Sequence, residues 1–218
     1  MTKAEAIDVI YLAVNGGKAS SDNNTKREEI GVYFSTALGA AIKAHIFELK
    51  SMANQDKAGG DILFEKSLPE GFYTTVTGTP AYDEDRATYT MSLGKVLALP
   101  YGWGVRNPRA RKNPNADFIR LPNPSMASAS TSVFAGVFSY WTEEGTDDTT
   151  IYFNNLPAPI CPMLVSVISD PNEQDDDSEL NAPKDVTNTA IKDATEYFLN
   201  RATASRRHDD KGTKERET

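Results

Sequence analysis

One cysteine and two histidines in 218 residues leave little material for the commonest protein chemistries. A lone Cys161 excludes an internal disulfide and a thiolate zinc cluster, and it fits synthesis in a reducing compartment. His45 and His208 fall in different predicted elements, so neither a histidine-rich metal site nor a Ser-His-Asp arrangement can be assembled. His45 reads as a boundary packing residue of a helix, and His208 as a solvated residue of a charged tail. No Gly-Lys-Ser/Thr phosphate loop and no Gly-x-Ser-x-Gly elbow occurs. Gly102-Trp103-Gly104-Val105 begins like a dinucleotide loop but lacks the third glycine and a following helix. The N-terminus carries acids where a signal peptide needs an apolar run. No stretch reads as long and apolar enough to span a bilayer, so no membrane partner is expected.

What is present is acid. The chain has 31 acidic and 23 basic residues, a formal net charge of −8, which argues against general adhesion to nucleic acid or anionic membrane. The excess is uneven: residues 1–60 balance, 61–170 carry −4, 171–181 carry −5 and 182–218 carry +1.

Thr2 and Glu5 have the form of a capping box. Ile7, Ile10, Tyr11 and Val14 recur behind them at helical spacing until Asn15-Gly16-Gly17. A second helix, capped at Asn24 or Thr25 and ending between Asn54 and Gly60, carries the stripe Ile30, Phe34, Leu38, Ile42 and Ile46. From Asp61 the texture changes to short runs rich in Val, Ile, Tyr, Phe and Thr between Gly and Pro turns, which predicts an antiparallel β region. The expected strands are Ile62–Lys66, Phe72–Thr77, Ala87–Leu99, Asp117–Leu121, Val133–Trp141, Thr149–Phe153 and Pro162–Ile168, with a hairpin turn at Glu143–Asp148. An acidic hinge follows, and then a helix from Pro183 to Ala202 with Val186, Ala190, Ile191, Ala194, Tyr197 and Phe198 on its buried face. The last residues lack large apolar side chains and read as disordered in the free chain.

The expected fold class is therefore α+β. A helical layer is built from residues 1–60 and 183–202, and an antiparallel β-sandwich-like domain, 61–170, is inserted between them. The acidic hinge is 171–182 and the charged tail 203–218.

Three candidate chemistries remain. Asp83-Glu84-Asp85 and Asp147-Asp148 offer carboxylate pairs of the kind a cell-wall glycan hydrolase uses, yet both fall in predicted turns where solvated acids are ordinary. The acidic loop Asp170–Glu179 lacks the glycine and ligand order of an EF-hand. Arg106, Arg109, Arg111 and Lys112 lie among two prolines in a predicted loop, and their forks and ammonium suit an acidic protein surface or, in a nucleic-acid-binding module, phosphates.

Three phrases carry a resemblance: Val96-Leu97-Ala98-Leu99-Pro100-Tyr101-Gly102-Trp103-Gly104-Val105-Arg106, Thr149-Thr150-Ile151-Tyr152-Phe153-Asn154-Asn155-Leu156, and Asn181-Ala182-Pro183-Lys184-Asp185-Val186. With the order of elements, they resemble the head-to-tail connector adaptor, or ring, proteins of short-tailed bacteriophages, including crAss-like phages. The resemblance implies a non-enzymatic virion protein without cofactor or metal, made in the host bacterial cytoplasm. It implies a homo-oligomeric ring of 12 copies under the portal protein, next to further ring or tail proteins, with genomic DNA passing through as cargo. In that setting Ile30, Phe34, Leu38, Ile42 and Ile46 are expected to contact the neighbouring subunit. Tyr197, Phe198, Arg206, Arg207, Lys211, Lys214 and Arg216 are expected to dock on the portal. Arg106, Arg109, Arg111 and Lys112 are expected to face another protein, and the acidic walls to repel DNA phosphates.

Overall fold

The computed structural model describes residues 1–16, 26–56, 70–99, 102–113, 116, 118–121, 138–154, 156 and 161–214, with the side chains of 52–56, 70 and 202–214 outside the description. The expected strand Ile62–Lys66 and the cap at Asn24 or Thr25 lie outside the described residues. The chain divides into two units: residues 1–55 with 174–218, and residues 56–173.

The first unit is helical. Helix α1, Lys3–Val14, begins as the sequence predicts: Thr2 accepts from the Glu5 amide and Glu5 reaches back to the Thr2 amide, closing the capping box. The remaining first-turn donors are also matched, because the Lys3 and Ala4 amides donate to Ser178 and Asp176 carbonyls and the Ala6 amide to Thr2. Helix α2, Arg27–Asp56, spans 30 residues. Helix α3, Lys184–Lys214, begins just after Pro183, where a proline costs no helical donor.

Glu29 pairs with Arg201, and the Tyr33 ring stacks on Tyr197 at 4.0 Å. As the residue number rises on α2 it falls on α3, so the two helices run antiparallel. On the α1 side, Arg27 pairs with Asp8 at 2.7 Å, and Gly31 lies so close to Ile7 that a Cβ there would sit 3.2 Å from its side chain.

Three expectations for this unit change. Ile30, Phe34, Leu38, Ile42 and Ile46 are at most 2% exposed, so they are the unit's own core rather than a face for a neighbouring subunit. A stripe at i, i+4, i+8 spacing marks a buried face without saying whether the burial lies within the chain or between chains. Helix α3 continues past residue 202 through residues read as a disordered tail. The run from Arg201 to Lys211 contains no proline and is rich in good helix formers, so backbone propensity carries the helix beyond its apolar face. Residues Arg27–Ser51 of α2 are also long and apolar enough to cross a membrane by length and composition, contrary to the expectation that no stretch would be. Half of that stretch is buried inside the protein, as a core helix would be.

The second unit is a β-sandwich. Strands β1 (Thr74–Gly78), β8 (Met163–Val167) and β4 (Val105–Ala110) form one sheet in the order β1-β8-β4. Strands β2 (Ala81–Asp83), β3 (Thr88–Ser92), β7 (Thr149–Asn154), β6 (Ser139–Glu144) and β5 (Ile119–Arg120) form the other, in the order β2-β3-β7-β6-β5. Among the described residues, every strand pairing is antiparallel except β5 with β6. Alternate residues of both sheets meet in one core: Val105, Met163, Val165 and Val167 from the first, and Met91, Tyr140, Ile151 and Phe153 from the second.

The hairpin at Glu143–Asp148 forms, joining β6 to β7. The long expected strand Ala87–Leu99 stops at Ser92, and Gly94 follows at φ 70, outside strand geometry. Arg106 to Ala110, expected as part of a loop, belong to the edge strand β4.

Removing a ring from this interior leaves a void that the packed neighbours cannot fill. Phe34→Ala should lower the stability of the helical unit by about 3–5 kcal/mol in chemical denaturation. Val32→Ala, on an exposed position of the same helix, should stay within about 0.5 kcal/mol.

Candidate partner interface

The basic run Arg106–Lys112 owes its geometry to Asn107-Pro108. Pro108 has no amide to donate, which an edge strand tolerates, and Asn107 takes φ 48, in the region asparagine enters more readily than most residues. The register with β8 shifts between Arg106 and Arg109, and this bulge divides the cations. Arg106 is 6% exposed and its guanidinium sits 3.8 Å from the centre of the Tyr73 ring, whose hydroxyl donates to the Trp103 carbonyl. Arg106 is therefore an internal packing group and is withdrawn from the expected partner-contact loop. Arg109, Arg111 and Lys112 are exposed at the end of the edge strand. Their charge also blunts an edge that would otherwise pair with another strand.

The expected portal-docking pair on α3 separates in the same way. Phe198 is 1% exposed and packs edge-on against Tyr33, so it is core and cannot dock. Tyr197 is 42% exposed, and Leu199, two residues further along the helix, is equally exposed. The side chains of Arg206, Arg207, Lys211 and Lys214, and all of Arg216, lie outside the described residues. The surface the helical unit presents includes Val32 and Phe47 of α2, which the sequence stripe did not single out.

The carboxylates considered for glycan hydrolysis occupy turns. Asp83 accepts from the amides of Asp85 and Arg86, closing the β2–β3 connection, and the Asp148 carbonyl accepts from Gly145 in the β6–β7 hairpin. Asp170 accepts from the Asn172 amide. Among the described residues, no group of three or more His, Cys, Asp or Glu side chains could hold a metal ion. His45 is half-buried, as a boundary residue would be, and Cys161 is buried. Gly102 and Gly104 serve packing: Gly102 has φ 61 and its carbonyl accepts from Arg120, while a Cβ on Gly104 would lie 2.6 Å from the Leu97 carbonyl oxygen.

One arrangement escaped the sequence reading. On the face of the five-stranded sheet opposite the core, Trp141 and Tyr152 stand on neighbouring strands in register, with rings 5.2 Å apart and nearly parallel. Arg86 lies over Tyr152 at 4.8 Å and pairs with Glu143 at 2.6 Å. Burial pushes the Tyr152 phenol above its ordinary 10.0, and the neighbouring Glu143 carboxylate raises it further against the opposing charge of Arg86. The alternation of Trp141 and Tyr152 with core residues was visible in sequence, but their register across the hairpin was not.

No protein-family model matches the chain, and a search of the curated proteins finds no similar sequence.

Two measurements test these assignments. Arg106→Ala should lower thermal stability by about 1–2 kcal/mol through loss of the ring contact and stem packing, whereas Arg109→Ala should change it by less than about 0.5 kcal/mol. Because the folded pKa of Tyr152 is raised, the folded state holds that proton longer than the unfolded chain. The stability this confers is complete below pH 10.0 and is lost as pH climbs through the higher folded value. Denaturation in alkaline buffers should therefore show a steeper loss for the wild type than for Tyr152→Phe.

Proposed function

We propose that this chain is a non-enzymatic virion structural protein. In this reading it is a portal-bound adaptor that forms an oligomeric ring in the head-to-tail connector of a short-tailed bacteriophage. The observation that carries the reading is the order of the fold: a helical layer assembled from both ends of the chain, an inserted β-sandwich, and a terminal helix that outlasts its own apolar face. That order matches the one the connector resemblance implies.

Each part has a role in the reading. The exposed side chains of the helical unit, Val32, Phe47, Tyr197 and Leu199, offer contact area to other subunits, and a ring closes when one patch meets a different patch on the next copy. The last turns of α3 and the sequence after them lack large apolar residues, so the portal supplies the surface on which Arg206, Arg207, Lys211, Lys214 and Arg216 settle. Contacts repeated around a ring make weak individual docking sufficient. The exposed cations Arg109, Arg111 and Lys112 suit an acidic protein surface in the neighbouring ring or tail component. The net charge of −8 suits a conduit through which DNA slides.

Negative-stain microscopy of the purified chain mixed with portal should show an added ring on the portal. Limited proteolysis should cut residues 203–218 of the free chain and spare them once portal is bound. Equal cleavage with and without portal would remove the docking role.

A further inference from the structure

The chain leaves the β unit at Glu173 and re-enters the helical unit at Gln174, and there it meets the N-terminus. The Met1 carbonyl accepts from the Leu180 amide at 3.1 Å, Thr2 bridges Glu179 in antiparallel fashion, and the Lys3 and Ala4 amides donate to Ser178 and Asp176. Lys3 adds a side-chain tie. It is 8% exposed, its ammonium donates to the Gln174 carbonyl at 3.0 Å, and the Asp176 carboxylate stands 3.8 Å away. A lysine this buried is uncommon, and its ammonium has to be matched by acceptors.

We infer that residues 1–4 and 174–180 form a clasp, pinned by Lys3, that locks the return crossing of the chain. The acidic segment was expected to be a hinge. Five of its acids fall within residues 171–181 with no basic residue among them, so alone it has every electrostatic reason to stay extended and mobile. The N-terminus supplies what the segment lacks: donors for three of its carbonyl oxygens and one buried positive charge. The carboxylates of Asp175, Asp177 and Glu179 stay exposed, on a backbone that the clasp holds in place. The clasp shares the first turn of α1 through the Lys3 and Ala4 amides but uses neither hydrogen bond of the capping box, which joins Thr2 and Glu5. This inference is independent of the connector reading.

Hydrogen exchange of the full chain tests it. Lys3→Met keeps the apolar stem and removes only the ammonium. Hydrogen bonds to charged groups are strong enough that its loss should raise exchange at the Leu180 amide by about tenfold or more, with helix content unchanged by circular dichroism. Lys3→Arg should restore protection. Thr2→Ala should raise exchange in the first turn of α1 and leave 174–180 within about twofold of the wild type. Wild-type exchange in Lys3→Met would overturn the clasp, and so would a failure of Lys3→Arg to restore protection. Release of 174–180 by Thr2→Ala as great as by Lys3→Met would also overturn it, since the effect would then be fraying of α1.

Discussion

Everything in the helical unit depends on one constraint: a helix near the start of the chain and a helix at its end have to find each other across a whole inserted domain. Closing that loop costs conformational entropy before any contact forms, although the cost grows only slowly with loop length. Burial of Ile30, Phe34, Leu38, Ile42 and Ile46 from α2 and of Val186, Ala190, Ala194 and Phe198 from α3 offsets it. Hydrophobic burial is non-directional, so it cannot by itself choose the alignment of two long helices. The stacked rings of Tyr33 and Tyr197 and the Glu29–Arg201 pair supply that choice at one end. The Lys3 ties fix the other point at which distant chain meets distant chain.

Once that closure is made, the inserted domain has to satisfy itself. It does so with two sheets that share one apolar core, and with a second buried cluster, Leu121, Trp141 and Tyr152, in the five-stranded sheet. The sandwich protects its β4 edge with Pro108, a bulge and the outward cations Arg109, Arg111 and Lys112. The proposed acidic partner is compatible with this protection, because a charged edge repels strand addition while it attracts a surface of opposite sign.

Legibility in the sequence followed the range of the interaction. The capping box of α1, the apolar stripe of α2, the proline before α3 and the Glu143–Asp148 hairpin all depend on residues a few positions apart, and each was readable. The edge strand β4 was not, because Asn107-Pro108 is a local turn signal and only pairing with the distant β8 overrides it. The exposures of Tyr197 and Phe198 were not either. Adjacent residues on a helix differ by about 100° in direction, and which one points inward is set by where α2 lies.

The same reasoning explains how a buried apolar stripe came to be read as a subunit interface. A periodic pattern records that a face leaves water and is silent about what it meets. In this chain the partner of the stripe is intramolecular. On the proposed reading, contacts with other proteins fall to what remains outside: Val32 and Phe47 on α2, Tyr197 and Leu199 on α3, and the cations at the end of β4. These positions are scattered across different elements and carry no common period. Exposed positions of this kind leave little trace in one sequence, and they stand out only after the core has been subtracted.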